Sequence, residues 1–315
     1  MNITRLAPSP TGALHLGNAR TFLINWLMAR QNGWRIVLRI EDLDGPRIKS
    51  GKDEQSIDEL RWLGIDWDEG PIYQTARREV YQSAVGKLIA GGHAYPCVCS
   101  RKEVELAASA PHAEDGAAVY PGTCRGRFKT IEEATAFSGK PPAIRFAVPE
   151  GSIVSFVDEF AGLRSFDVPS TLGDFVIAKA DGTPAYQLSV VVDDAAMGIT
   201  HIVRGDDLID STPRQILLYR ALGLEQHIPR HYHLPLVVGE DGRRLAKRHG
   251  DTRLSFYRDS GASAGRVRAM LARTMGLETY NEISIEEMTT QFSLQSVPRH
   301  TIVFTRAMDA WLRRI

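Results

Sequence analysis

The sequence predicts an α/β fold organised on a parallel sheet, and three stretches near the N-terminus carry the prediction. Ile3 to Ala7 reads as a strand, Ala19 to Arg30 as an apolar-periodic helix and Arg35 to Ile40 as a second strand. Strand, helix, strand in that order implies parallel pairing through a right-handed crossover. The turn between the first strand and the helix, Pro8-Ser9-Pro10-Thr11-Gly12-Ala13-Leu14-His15-Leu16-Gly17-Asn18, has the composition of a phosphate-binding turn. Pro8 and Pro10 hold the chain extended, Gly12 and Gly17 remove side chains where a ligand must come close, and the N–H groups at the helix start would face an anion. The second strand delivers Glu41-Asp42-Leu43-Asp44 to its C-terminal end, the edge at which open α/β sheets bind ligands. No Gly-x-Gly-x-x-Gly occurs, so the turn is not the dinucleotide fingerprint.

Further along, Ser56 to Leu63 and Tyr81 to Ala90 read as helices, the second stopped by Gly91-Gly92. An irregular stretch from Tyr95 to about Arg127 opens an inserted subdomain. Ala143 to Val148 and Ser152 to Asp158 alternate like antiparallel strands turned at Pro149-Glu150-Gly151. The parallel sheet is expected to resume with the strands Phe175 to Ala178 and Ala185 to Leu188, followed by a helix entered through Ser189 to Asp194. A strand at His201 to Arg204, a helix at Thr212 to Leu222 and a strand at His233 to Val238 come next. After Gly250 the chain reads as helical to its end, with Ser284-Ile285-Glu286-Glu287 a capping-box candidate. These elements divide the chain into 1–94, 95–170, 171–250 and 251–315.

A chain of 315 residues with 43% hydrophobic content can bury a sizeable core and suggests about two domains. The N-terminus has no apolar signal region and no run of about 18 apolar residues occurs, so neither a signal peptide nor a membrane span is expected. The cytoplasm is the expected compartment, and a monomer the expected state. Net charge is zero, yet residues 1–50 hold 7 basic and 3 acidic side chains and residues 240–315 hold 13 and 9, against 18 and 26 between them. The neutral total hides two basic ends that could meet a polyanion. Three cysteines, Cys97, Cys99 and Cys124, sit in one region. An odd count in a cytosolic chain argues for metal ligation over disulfides, with one further donor, His93 or His112 by ordinary zinc chemistry, completing a tetrahedral site.

Far from the first turn, Gly242-Arg243-Arg244-Leu245-Ala246-Lys247-Arg248-His249-Gly250 is a glycine-bounded basic loop. Paired with His15-Leu16-Gly17-Asn18, its Arg244-Leu245-Ala246-Lys247-Arg248 resembles the two signatures of class I aminoacyl-tRNA synthetases, which implies a Rossmann-like catalytic domain. Arg5, Ser9, Glu41, Tyr186 and Arg204, with Val190 to Asp194 and Met197 to Gly205, resemble the amino-acid site of glutamyl-tRNA synthetases over roughly residues 1 to 255. The chemistry agrees: two arginines answer the carboxylates of glutamate and Glu41 its ammonium, with Tyr186 and Ser9 fixing orientation, and the resemblance places Ala7 in the same site. The resemblance implies attack of the glutamate carboxylate on the α-phosphate of ATP. ATP, with Mg²⁺, would be held by Pro8, Ser9, His15, Gly17, Asn18 and Lys247, of which His15 and Lys247 stabilise the transferring phosphoryl group. The signature loop departs from the pattern at Ala246, where a hydroxyl residue is usual, but keeps Lys247.

Within this family the chain resembles the short paralogues, the glutamyl-queuosine tRNA(Asp) synthetases, because only about 65 residues follow the basic loop, too few for an anticodon-binding domain. That resemblance implies L-glutamate and tRNA(Asp) carrying queuosine as substrates. It makes Tyr120 the fourth ligand of a structural Zn²⁺ beside Cys97, Cys99 and Cys124.

Overall fold

β1 (Ile3–Leu6), α1 (Leu16–Gln31) and β2 (Arg35–Ile40) form the expected parallel unit in the computed structural model, which describes residues 1–43, 45, 48–100, 102–104, 119–243, 245 and 251–313. β1 and β2 run in register from Ile3 opposite Arg35 to Leu6 opposite Leu38. Helix α1 is buried at Leu16, Ala19, Leu23, Ile24 and Leu27, a stripe at helical spacing that packs on the sheet. Helices α2 (Lys52–Trp62) and α3 (Arg78–Ala90) flank β3 (Glu69–Tyr73), which extends the sheet beside β2.

The strands that follow are shared between two sheets. β4 (Ala94–Cys97), β5 (Ala143–Phe146) and β8 (Phe175–Ala178) make a three-stranded antiparallel sheet, and α4 (Ile131–Ser138) packs beside it. β6 (Ile153–Asp158) and β7 (Gly162–Asp167) pair with each other and join the main sheet, whose order is β3-β2-β1-β9-β10-β6-β7, with β9 (His201–Gly205) and β10 (Arg230–Leu234). All neighbours in it are parallel except β6 and β7.

Three expectations are corrected here. The stretches now seen as β5 and β6 are not partners across Pro149-Glu150-Gly151: both edges of β5 are taken, by β4 and β8, so β6 pairs elsewhere. β8 does not resume the parallel sheet, since it lies antiparallel to β5 with the rings of Phe146 and Phe175 stacked at 5.2 Å. Ala185 to Leu188 is no strand either. Tyr186 opens helix α6 (Tyr186–Ala196), which is buried continuously from Leu188 to Asp194. Tertiary burial on all sides overrides the strand preference of Val190-Val191-Val192.

Helix α7 (Ser211–Ala221) packs on α6, after a short helical turn α5 (Val168–Thr171) earlier in the chain. The run His233 to Val238 breaks at Pro235, which has no N–H to give a ladder, into β10 and the short β11 (Val237–Val238). Beyond the basic loop lie α8 (Leu254–Asp259), α9 (Ala264–Arg273), α10 (Ile285–Gln291) and α11 (Arg306–Arg313). Ser284 and Glu287 form the capping box of α10. The tail is not wholly helical: β12 (Ile302–Val303) pairs with β11, its Ile302 N–H donating to Leu236 O at 2.9 Å and Phe304 N–H to Val238 O at 2.8 Å. No helix among the described residues is long and apolar enough to cross a membrane.

Strand order reverses at β1, which has β2 on one side and β9 on the other. In open α/β sheets the crevice beyond the strand ends at such a switch point is where ligands bind.

Candidate active site

A cleft of about 280 Å³ occupies that switch point. Arg5 from β1, Ala7, His15, Gly17 and Asn18 from the turn into α1, Glu41 after β2, Tyr186 at the head of α6 and Arg204 from β9 all line it. Eight of the residues singled out in sequence therefore converge on one cavity. Thr21, Phe22, Asp207, Leu236 and Val237 complete much of its wall and carried no sequence signal.

The turn is built as its composition suggested, with one refinement. His15 is the N-cap of α1, with φ −101° and ψ 164°, and its Nδ1 accepts from Asn18 N–H at 3.3 Å. A Cβ on Gly17 would stand 3.1 Å from the His15 ring, so this glycine makes room for the histidine side chain as well as for a ligand. Gly12 faces open space. Pro8 and Ser9 support the site without lining the cleft: Pro8 O accepts from Glu41 N–H at 3.0 Å, and Ser9 Oγ donates to Glu41 O at 3.2 Å. Both hold the backbone that presents Glu41.

Lys247, with Arg244, Ala246 and Arg248, lies outside the described residues, as do Asp44 and His112. The flanks of the basic loop are described, and both reach the first turn. Val237 on β11 would stand 3.7 Å from a Cβ added at Gly17, and Arg253 bridges His15, with Leu16 N–H donating to Thr252 O and Leu254 N–H to Leu14 O. The first turn is thereby tied by backbone hydrogen bonds to the segment that follows the basic loop.

Charge in the cleft is arranged by a residue the sequence reading missed. Arg39 is fully buried on β2 and donates to Asp194 Oδ1 at 2.6 Å and Glu41 Oε1 at 3.2 Å, with Asp193 3.8 Å from its Nε. Burial works against its charge, but Asp194, Glu41 and Asp193 more than offset this and raise its pKa. Asp193 is held in turn by Arg77 at 2.7 Å, Gln74 at 2.8 Å and Tyr81. A charged residue inside the apolar run Arg35-Ile36-Val37-Leu38-Arg39-Ile40 was the available signal. Burial pushes the Glu41 carboxyl up from its ordinary value, opposed by Arg39 and Arg5.

The two cleft arginines are held differently. Among the described residues the Arg5 guanidinium meets only Asp194, at 3.7 Å, and burial lowers its pKa. Arg204 is gripped from three sides: Nε donates to His233 Nε2 at 2.9 Å, and Nη2 to Thr212 Oγ1 at 2.9 Å and Gln215 Oε1 at 3.0 Å. Its buried Nη1 has no hydrogen-bond partner. A buried donor left unbonded costs about 1 to 3 kcal/mol, so an anion accepting from it would be favoured.

The cysteines gather as well. The sulfurs of Cys97, Cys99 and Cys124 lie within 4.8 Å of one another, Cys99 and Cys124 at 3.4 Å. Tyr120 Oη stands 3.4 Å from Cys97 Sγ and 3.5 Å from Cys99 Sγ, and His93 is not among the side chains gathered there. Burial pushes the Cys99 thiol up to about 11 and the Tyr120 hydroxyl far up, whereas hydrogen bonds hold the Cys124 thiol below its ordinary value despite burial.

Comparison with solved proteins gives first the class. A methionyl-tRNA synthetase of Mycobacterium tuberculosis bound by methionyl-adenylate aligns over 99% of the chain with a TM-score of 0.54 at 12% identity, a likeness of fold alone. That the architecture is that of a class I tRNA synthetase rests on the family model and on a closer structure. The family follows from closer matches: residues 2–309 match the model of tRNA synthetases class I (E and Q), catalytic domain, and the chain belongs to that family of ligases. It is 50% identical over 309 residues to the glutamyl-Q tRNA(Asp) synthetase of Symbiobacterium thermophilum, covering 95% of this chain and 94% of that one. The glutamate–tRNA ligase of Aquifex aeolicus is 43% identical, over 99% of this chain and 66% of that one. A crystal structure of a glutamate tRNA ligase from Elizabethkingia meningosepticum, in complex with its amino acid, aligns with a TM-score of 0.82 at 29% identity, covering 99% of this chain and 68% of that one.

Proposed function

We propose that the protein activates L-glutamate with ATP and transfers it to the queuosine base in the anticodon loop of tRNA(Asp). The observation that carries the amino-acid assignment is that Arg5, Arg204 and Glu41 line one cleft. Two guanidiniums with unsatisfied donors complement the two carboxylates of glutamate, Glu41 complements its ammonium, and Tyr186 orients it. A glutamate carboxylate oxygen attacks the α-phosphorus of ATP, the α–β bridging bond breaks and pyrophosphate leaves, which gives glutamyl-adenylate. The amides at the start of α1, His15 and Lys247 stabilise charge on the phosphoryl oxygens, with Pro8, Ser9, Gly17 and Asn18 shaping the ATP site. Mg²⁺ bound to ATP would supply charge neutralisation at its phosphates. A hydroxyl of queuosine then attacks the acyl carbon and AMP departs.

The acceptor assignment is supported by the glutamyl-Q tRNA(Asp) synthetases, at 50% and 47% identity the nearer relatives, against 41% to 44% for glutamate–tRNA ligases. Labelled glutamate is expected on queuosine-containing tRNA(Asp), to remain there after nuclease trimming of the 3′ adenosine, and to be absent from the same tRNA without queuosine. Label lost with the 3′ end, or found on unmodified tRNA(Glu), would instead mean a glutamate–tRNA ligase. Bases read by RNA-binding proteins in this way are usually presented unstacked.

The same reading includes a structural Zn²⁺ in a subdomain made of β4, β5, β8 and the segment around Tyr120, held by Cys97, Cys99, Cys124 and Tyr120. Donors around tetrahedral zinc, at Zn–S of about 2.3 Å and Zn–O of about 2.0 Å, stand roughly 3.5 to 3.8 Å apart. The Tyr120 Oη distances to sulfur, 3.4 and 3.5 Å, fit that spacing. Metal analysis is expected to find about one zinc per chain, lost in Cys124→Ser and weakened in Tyr120→Phe. Full zinc in Tyr120→Phe together with its loss on substituting His93 or His112 would overturn Tyr120 as the fourth ligand.

A further inference from the structure

We infer that Asp158 and His233 are positioning residues for the amino-acid site, a buried pair that fixes Arg204 in its binding posture by fixing which ring nitrogen of His233 carries the proton. The inference deepens the glutamate reading and rests on it. Asp158 ends β6, His233 lies on β10 and Arg204 on β9, so three neighbouring strands contribute one residue each, all of them buried. Asp158 Oδ2 is 2.6 Å from His233 Nδ1, and His233 Nε2 is 2.9 Å from Arg204 Nε. A guanidinium nitrogen can only donate. His233 Nε2 must therefore accept, which leaves the single ring proton on Nδ1, where the Asp158 carboxylate accepts it. The chain of bonds has one consistent direction.

The surroundings support a neutral ring. Burial, with Arg204 beside it, holds the imidazole below its ordinary value despite Asp158. Burial also acts on Asp158, but hydrogen bonds from His233 and from Ala161 N–H hold its carboxyl below the usual range. His231 stacks parallel to His233 with ring centroids 5.9 Å apart. Thr212 and Gln215 grip only Nη2 of Arg204, so His233 is the acceptor that sets the rotation of the guanidinium about Nε. Nη1, the donor without a protein partner, is aimed by that rotation.

The two oxygens of Asp158 have different partners, which supplies a probe. Its Oδ1 accepts from Phe160 N–H at 3.0 Å and Ala161 N–H at 2.6 Å, His233 N–H is shared between the two oxygens at 3.2 Å from each, and only Oδ2 faces the ring. In Asp158→Asn the amide oxygen can keep the three backbone bonds, and the amide NH₂ then faces Nδ1. That reverses the ring tautomer and sets Nε2–H against Arg204 Nε–H, donor against donor. His233→Asn keeps a polar group near Nδ1 but offers Arg204 nothing, whereas His233→Gln can place its carbonyl oxygen near the Nε2 position and restore the acceptor.

Glutamate-dependent exchange of pyrophosphate into ATP by the full chain tests this, with melting temperatures as the check on folding. Asp158→Asn and His233→Asn are expected to raise KM for glutamate about tenfold or more, with kcat within about threefold and KM for ATP within about twofold of wild type. His233→Gln is expected to recover most of the loss. An unchanged glutamate KM in a normally melting Asp158→Asn overturns the inference, as does a fall in kcat with a rise in both KM values, the mark of general damage. Should Asp158→Asn not fold, the comparison of His233→Gln with His233→Asn decides alone: equal defects overturn it. A wild-type protein that exchanges no pyrophosphate with glutamate overturns the amino-acid reading itself, a result separate from any of these.

Discussion

Arg39→Met is expected to lower the free energy of unfolding by about 3 to 5 kcal/mol, because it strands a buried carboxylate. Asp193 would keep Arg77, Gln74 and Tyr81, but Asp194, fully buried, would be left with Arg5 at 3.7 Å as its nearest cation. The midpoint of urea unfolding measures the loss, at constant m-value. Adding Asp194→Asn to Arg39→Met removes the stranded charge and is expected to return part of the stability; a double variant no better than the single one, or a single variant at wild-type stability, would show that Arg39 is not the counter-ion of this cluster. The same change is expected to weaken glutamate binding, since Arg39 steadies Glu41 at 3.2 Å and Asp194 steadies Arg5.

Lys247→Ala is expected to slow glutamate-dependent pyrophosphate exchange roughly 30- to 1000-fold, the effect of losing about 2 to 4 kcal/mol of charge stabilisation on the transferring phosphoryl group. Exchange is expected without any tRNA, because the groups proposed for glutamate and ATP fall within residues 1 to 250. The loss should appear in kcat more than in KM for glutamate, as Lys247 is assigned to the phosphates alone. An unchanged rate would remove Lys247 from the mechanism and leave His15 and the α1 amides to carry it.

What the sequence determined by itself was local. The β1–α1–β2 unit was legible because strand and helix periodicities are properties of adjacent residues, and the ends of β2 and the capping box at Ser284 were read correctly for the same reason. The residues proposed for the amino-acid site were singled out from short phrases, and the structure brings Arg5, Glu41, Tyr186 and Arg204 to one cleft even though Tyr186 sits on a helix where a strand was expected. Strand partnership was not legible. Which edge β6 or β8 would find depends on which edges are already occupied: β5 lies between β4 and β8, which keeps β8 out of the main sheet, and β6 joins that sheet beside β10 instead.

Nor could the sequence disclose what lies between the binding groups. Arg39 and Asp194 are 155 residues apart, Asp158 and His233 are 75 apart, and a strand arginine or histidine reads as an ordinary polar position until its burial is known. Burial is what gives these side chains their meaning. In water each would be a solvated charge or a free imidazole, whereas in the interior every donor must meet an acceptor, and the tertiary packing alone decided that Arg39 would balance three carboxylates and that His233 would turn its one acceptor toward Arg204.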